Sequence, residues 1–182
     1  LNRLSTIASG FSKIGSKPNM EPSDLNAVVG QSVDYMKSRI SRRITLTFTQ
    51  SSVPINANLS APLLEWVMEN LIKNAVDAMD GQGSITVEVK STTDNAIIMV
   101  SDTGKGMTRK QRRDIFKPGY STKKRGWGLG LTLVRRIVTQ YHGGKIYVSD
   151  SQPGIGTTFV IELPLNPAPP PTHPGSNCQQ PT

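Results

Sequence analysis

The sequence predicts an α/β domain, and three patterns carry that prediction. Apolar residues recur at three- and four-residue spacing in several stretches, which is typical of amphipathic helices packed on a core. Shorter runs rich in Ile, Val and Thr lie between those stretches and are typical of strands. The 182 residues suffice for one medium domain, and no apolar run reaches the roughly 20 residues that a membrane span needs.

The elements follow in order along the chain. The predicted helices cover residues 1–14, 24–39, 60–80, 108–115 and 129–141, and the predicted strands cover residues 44–50, 84–90, 96–101, 145–150 and 157–163. Ser60 before Pro62 is typical of a helix start, whereas Gly143 and Gly144 stop the last helix. The strand 96–101 is apolar on both faces, which predicts a central place in its sheet.

Composition limits the classes of partner. The formal net charge is +8, and ten Lys and Arg side chains crowd residues 109–136 with only Asp114 to oppose them. Few aromatic residues accompany them, which argues against nucleic acid and leaves a nucleoside triphosphate or a solvated basic face. The single cysteine, Cys178, fits a reducing compartment, so a cytoplasmic location is expected.

One predicted helix carries a polar face against an apolar one. At about 100° per residue, Asn70, Lys73, Asn74 and Asp77 share a face, and the opposite face is apolar. Neutral amide oxygens suit Mg²⁺ held against a polyphosphate, because a row of carboxylates would repel the phosphates. The alternative is a surface helix with ordinary solvated amides.

Two glycine-rich segments could approach the same ligand. The run Asp102 to Gly106 follows a buried strand, so its carboxylate is held rigidly and can accept the adenine amino hydrogen. The alternative is a plain Asp-Gly turn. Gly126, Gly128 and Gly130 open the last helix, whose free N–H groups can point toward phosphate oxygens.

The segments next to these two glycine-rich runs give less specific predictions. Ser121, Thr122, Lys123 and Arg125 offer hydroxyls and cations that could close on phosphates like a lid hinged at glycines, or form a mobile basic loop. The run from Gly154 to Thr157 predicts a hairpin turn with at most a minor part in the pocket. His142 is interpreted as a helix-terminating residue rather than a phosphoacceptor.

Along the chain these motifs, or boxes, are the helix with Asn70 and Asn74 (the amide helix), the run 102–106, the segment 121–125, the run 126–130 and the run 154–157. Their order closely resembles that of the catalytic, ATP-binding domain of bacterial sensor histidine kinases, over roughly residues 20–165. That domain belongs to a wider family shared with gyrase, the mismatch-repair clamp ATPase and the large heat-shock chaperone. The resemblance implies a Bergerat-type two-layer α/β sandwich, with a mixed, mainly antiparallel sheet and helices packed on one face. It also implies ATP and Mg²⁺ as ligands.

The resemblance further implies residue roles. Asn74 would bind Mg²⁺, Asn70 and Lys73 would line the phosphate channel, Asp102 would read adenine, and Lys123 would be the lid cation. The catalytic set so implied is Asn70, Lys73, Asn74 and Lys123. The nucleotide-binding set so implied is Asn70, Asn74, Asp77, Asp102, Gly104, Gly106, Ser121, Thr122, Lys123, Gly126, Gly128, Leu129, Gly130, Leu131 and Thr157.

The same resemblance divides the chain and suggests its partners. Residues 1–16 resemble the end of a dimerisation and phosphoacceptor hairpin, residues 17–165 form the catalytic domain, and residues 166–182 are a proline-rich tail, either disordered or artificial. The expected partners are a histidine-bearing hairpin and a response regulator, with no nucleic acid. The chain reads as a fragment, monomeric or weakly dimeric, of a homodimeric parent that could be anchored in the inner membrane.

The expected function is transfer of the ATP γ-phosphoryl group to a histidine outside this chain. The chain contains only His142 and His173, and neither stands in a phosphoacceptor helix, so it should not label itself. Two alternatives are a non-catalytic nucleotide-sensing module and a clamp-type ATPase. The clamp is disfavoured because Asn70 occupies the place of the water-activating Glu in the hydrolysing relatives.

Overall fold

The computed structural model describes residues 18–121 and 128–165. The predicted first helix, the hairpin-like residues 1–16 and the tail 166–182 lie outside those ranges. So do four candidate site residues, Thr122, Lys123, Arg125 and Gly126. No helix within the described ranges is long and apolar enough to cross a membrane.

Eleven segments of regular structure follow along the described chain, together with one π turn. The strands are β1 (Glu21–Asp24), β2 (Ile44–Thr49), β3 (Asn56–Leu59), β4 (Gly83–Ser91), β5 (Asn95–Asp102), β6 (Lys145–Gln152) and β7 (Gly156–Pro164). The helices are α1 (Leu25–Lys37), α2 (Ala61–Ala78), α3 (Arg109–Asp114) and α4 (Gly130–Arg136), and the π turn is Ile137–Tyr141.

The main sheet has five strands in the order β2, β4, β5, β7, β6. Only the β2–β4 pair is parallel, so the sheet is mixed and mainly antiparallel. Burial alternates along β4 and β5, which means that one face of the sheet is covered. Helices α1 and α2 pack on that face and on each other. This arrangement confirms the predicted two-layer sandwich and the central place of β5.

The core lies between the helical layer and the sheet. Helix α2 buries Leu64, Met68, Leu71, Ile72 and Ala75, the apolar side that its sequence pattern predicted. Ile85, Val87, Ile98 and Val100 supply the buried face of the two middle strands. Burial of this apolar face fixes how α2 is rotated, and it turns the amide face of the helix away from the core.

A second sheet of two strands was not predicted from the sequence. Strand β1 pairs antiparallel with β3, joining Glu21 to Leu59 and Asp24 to Asn56. The sequence predicts no strand within residues 51–59, because neither this segment nor Glu21–Asp24 has a clear apolar alternation. Ala57 and Leu59 are nevertheless buried, so tertiary packing decides this structure.

The start and end of two helices differ in detail from the prediction. Ser60 occupies the N-cap position of α2, but its side chain makes no capping hydrogen bond. The predicted helix 129–141 begins at Gly130 and changes at Ile137 into a π turn, which the His142 N–H closes by bonding the Ile137 carbonyl. Such an extra residue in a helix re-aims the side chains that follow it.

Candidate nucleotide site

Asp102 is the fixed point of the site, because it is the last residue of the central strand β5. Its Oδ1 accepts a hydrogen bond of 2.8 Å from the Gly104 N–H, and the Thr157 N–H also donates to the carboxylate. Burial raises the pKa of Asp102, and the two N–H donors oppose part of that rise. No cation pairs with this carboxylate within the described residues, so its remaining acceptor positions suit a neutral donor such as an amine.

The loop after Asp102 is tied to both of its neighbours. The Lys105 N–H donates to the carbonyl of Ala78, the last residue of α2, at 2.9 Å. The Lys105 carbonyl in turn accepts from the Gly154 N–H at 2.8 Å. These two bonds bring the end of the amide helix, the Asp-x-Gly-x-Gly loop and the β6–β7 turn together. Three of the motifs predicted to form the site therefore meet at one end of the sheet.

Glycine is required in this loop for close packing of backbone on backbone. A Cβ at Gly106, where φ is +64°, would lie 1.9 Å from the Gln152 carbonyl oxygen, and one at Gly156 would lie 2.0 Å from the Asp102 carbonyl oxygen. Neither distance is possible for a real side chain, so no other residue fits. The run 154–157 therefore helps to position Asp102. This role is larger than that of the simple hairpin turn that its sequence predicts.

The amide helix faces the glycine box at the start of α4. Asn70 Nδ2 donates to the Trp66 carbonyl at 2.9 Å, which fixes the amide. Its Oδ1 points toward Gly130, where a Cβ would lie 3.2 Å away. Asn70 and Asn74 are half-buried, whereas Lys73 and Asp77 are exposed. The predicted amide face and the predicted Gly-x-Gly box are thus neighbours in space.

Two glycines close the base of the loop that was interpreted as a lid. The Gly119 N–H donates to the Gly128 carbonyl at 3.2 Å, and a Cβ at Gly128 would lie 2.4 Å from the Gly119 carbonyl carbon. Both residues have positive φ, +77° and +65°, which favours glycine at each position. Ser121 is exposed beside this closure, and Leu129 and Leu131 are half-buried after it. The contributions predicted for Thr122, Lys123 and Gly126 fall outside the described residues.

The donor chemistry of the site fits a metal held through oxygen only. Within residues 18–121 and 128–165, no three His, Cys, Asp or Glu side chains cluster as metal ligands. A divalent cation here would therefore depend on amide oxygens from α2 and on the phosphates of the nucleotide. Mg²⁺ fits such a set, since it keeps much of its water and binds through few protein oxygens.

Two residues near the site, His142 and Phe116, are packing residues. His142 is buried at the end of the π turn, which agrees with its interpretation as a helix-terminating residue. Phe116 packs edge-on against Phe159, with ring centroids 6.3 Å apart. Sequence analysis did not foresee the roles of Gln152 and Ala78, because a backbone carbonyl leaves no signal in the residue type.

Comparison with known proteins identifies the family of this chain. The family model described as histidine kinase-, DNA gyrase B-, and HSP90-like ATPase matches residues 60–167. Sensor histidine kinase ZraS of Klebsiella oxytoca is 42% identical over 145 residues, which are 79% of this chain and 31% of that protein. The chain therefore spans about a third of the length of this curated relative.

Solved structures show the same fold. The catalytic domain of histidine kinase ThkA has a TM-score of 0.73 and is 25% identical, covering 81% of this chain and 99% of that one. Full-length ShkA in complex with AMPPNP has a TM-score of 0.74 and is 25% identical, covering 88% of this chain and 35% of that one. Both are structures of similar fold and low sequence identity.

Proposed function

Because this chain belongs to the family of histidine kinase-, DNA gyrase B-, and HSP90-like ATPases, we propose that it binds Mg²⁺-ATP between α2, the Asp102 loop and α4 and transfers the γ-phosphoryl group to a histidine. Within the family it is a catalytic domain of the sensor histidine kinase type, as the sequence resemblance implied. ATP is the ligand of such domains. The metal, the residue roles and the acceptor are parts of the proposal.

Asp102 is the observation that carries the proposal. Its carboxylate is oriented by two backbone N–H groups and is partly desolvated without a cation. A desolvated acceptor of this kind discriminates strongly between ligands with and without a matching donor. Adenine presents an amino group at the edge where guanine presents an oxygen. Asp102 would thus select ATP over GTP.

The amide face of α2 would serve the triphosphate. Asn74 would hold Mg²⁺, which supplies charge neutralisation for the phosphates when it is bound. Asn70 would line the phosphate channel from the fixed position beside Gly130, and Lys73 would add a cation. The glycine box places backbone N–H groups at the start of α4, where they can donate to phosphate oxygens.

The same residues favour transfer over hydrolysis. Asn70 cannot accept a proton from water, so the position four residues before Asn74 carries no general base. Phosphoryl transfer needs alignment and charge stabilisation rather than covalent help from the protein. The nucleophile would be a neutral imidazole. His142, the histidine within the described residues, is buried in packing, so the imidazole would come from elsewhere.

The wider role rests on the similarity to whole sensor kinases. ZraS is named a sensor histidine kinase, and the AMPPNP complex of ShkA is of similar fold. The parent of this chain would then be a homodimer with a histidine-bearing hairpin, in the cytoplasm or anchored by a membrane segment, and would pass the phosphoryl group to a response regulator.

Phosphoryl transfer to a separately made histidine-hairpin domain tests the proposal. The chain is incubated with γ-labelled ATP and Mg²⁺, and label on the hairpin is measured before and after acid treatment. We expect acid-labile label on the hairpin and none on a hairpin whose histidine is replaced by Gln. ATP binding without transfer would instead support a nucleotide-sensing module. Steady ATP turnover by the chain alone would support a clamp-type ATPase.

A further inference from the structure

A basic cleft lies outside the nucleotide site, between α3, α4 and the outer strand β6. Its volume is about 670 Å³, and its walls carry four arginines. Arg109, Arg112 and Arg113 come from α3, and Arg135 comes from α4. Side chains from β6 and the segment after α3 form an apolar floor, which includes Phe116 and Val148. The cleft is therefore both cationic and apolar.

Within the described residues, the charge of this cleft is only partly balanced, by Asp114, which interacts electrostatically with Arg113. No Asp or Glu lines the cleft. The nearest acidic residue in sequence, Asp114, is bound by Lys117 at 2.6 Å. All 13 Asp and Glu residues lie between residues 21 and 162 in the described ranges, so residues 1–17, 122–127 and 166–182 contain none that could fill the cleft. None of the described Asp or Glu residues therefore balances the cleft fully, and an acidic ligand would complete that balance.

Two of the four arginines are anchored, and the other two form no ion pair within the described residues. Arg112 donates to the Val148 carbonyl at 3.1 Å, and the Arg135 guanidinium lies 5.8 Å from the centroid of the Phe116 ring. Arg109 and Arg113 are exposed and form no ion pair within the described part of the chain. The anchored pair shapes the cleft, and the other two guanidinium groups remain available for bidentate contact with carboxylates.

The apolar floor decides what kind of anion fits. Inorganic phosphate gains nothing from Phe116 and Val148, whereas a polypeptide can lay apolar side chains on them. Tyr147 also lines the cleft and is 40% exposed, so base stacking alone does not separate a peptide from nucleic acid, and a nucleic acid is included in the test. Arg112 already binds the Val148 carbonyl at the sheet edge, so a partner would be held by its side chains rather than as an added strand.

We propose that this arginine cleft docks an acidic segment of a partner protein that carries apolar side chains among its carboxylates. The carboxylates pair with Arg109 and Arg113, and the apolar side chains rest on Phe116 and Val148. The cleft shares α4 with the nucleotide site and is joined to it by Thr132, whose hydroxyl donates to the Phe116 carbonyl at 3.2 Å. The docking site does not depend on the proposed kinase activity.

Binding of a short fluorescein-labelled peptide of alternating Glu and Leu tests this proposal by fluorescence anisotropy. The double variant Arg109→Ala/Arg113→Ala should bind it about tenfold more weakly, because two carboxylate contacts are lost. The matched control is Arg42→Ala/Arg43→Ala, which removes the same charge from exposed positions before β2, the opposite edge of the sheet. The control should bind the peptide as the wild type does, and both variants should unfold at the wild-type temperature.

Four results would overturn the proposal. Equal weakening in both double variants would mean that the peptide senses net charge only. Displacement of the peptide by inorganic phosphate at constant ionic strength would assign the arginines to a phosphate site. Tighter, Arg113-dependent binding of oligothymidylate would assign them to nucleic acid. A peptide of alternating Lys and Leu should not bind, and its binding would also contradict the assignment.

Discussion

Nε2 of His142 accepts a hydrogen bond of 3.1 Å from the backbone N–H of Ser60, the N-cap residue of α2. The other ring nitrogen, Nδ1, lies 3.0 Å from the Ile137 carbonyl, so a neutral ring with its proton on Nδ1 satisfies both bonds. The side chain thus ties the end of the π turn to the start of the amide helix, and burial lowers its pKa.

Acidification should destabilise the domain through His142. Its pKa is lower in the folded than in the unfolded chain, so its contribution to stability is complete above the unfolded value of about 6.5 and declines as pH falls below it. The urea concentration at the unfolding midpoint of the wild type should decrease as the pH is lowered from neutral to mildly acidic. His142→Gln, which keeps an acceptor but does not titrate, should lose most of that dependence.

His173→Gln provides the matched control, because it removes the only other histidine. This variant should keep the pH dependence of the wild type. If His142→Gln and the wild type lost stability in parallel as the pH fell, another group would be responsible for the pH dependence.

Gly106→Ala should be strongly destabilising. Its Cβ would collide with the Gln152 carbonyl at 1.9 Å in addition to the strain of a φ of +64°. We expect a loss of at least about 2 kcal/mol in the free energy of unfolding, measured by urea denaturation. Gly81→Ala is the control, since its φ is +78° but no atom lies within 4 Å. Strain alone should cost it about 1 kcal/mol, and equal losses would refute the packing argument.

Asn74→Ala should abolish Mg²⁺-dependent transfer to the hairpin while adenosine still binds. In the proposed site, the amide would lie on the phosphate side, whereas adenine would be read at Asp102. The check is label transfer together with calorimetry of adenosine binding, and Asn58→Ala on the exposed side of β3 is the control. Undiminished transfer by the Asn74 variant would place the metal elsewhere.

The sequence predicted most elements because their apolar periodicity agrees with their burial. Helix α2 is the clearest case, since the residues on its apolar side are the ones that pack on β4 and β5. It also singled out three segments that the structure brings together, the end of α2, the loop after Asp102 and the turn before β7, whereas their roles in binding stay a prediction. What it missed depends on contacts distant in sequence: the pairing of Glu21–Asp24 with Asn56–Leu59, and the extra residue of the π turn that aims His142 at Ser60.

The close approaches around Asp102 belong to the same class. From the sequence, Gly106 is explained by approach to a ligand and Gly156 by a hairpin turn. In the structure, each position must be glycine because a carbonyl oxygen of another segment lies where a Cβ would be. Local sequence cannot report such an approach, because the group that excludes the side chain is backbone and is common to every residue.

The most direct test of nucleotide recognition is the affinity of Asp102→Asn for ATP, measured by calorimetry beside the wild type. The substitution replaces a charged acceptor in a partly desolvated contact, so we expect binding to weaken by about 1–3 kcal/mol, with no change in the fold by circular dichroism. The wild type should also prefer ATP to GTP, and the variant should lose that preference. Unchanged ATP affinity in the variant, or equal binding of both nucleotides by the wild type, would contradict the assignment of Asp102 to adenine.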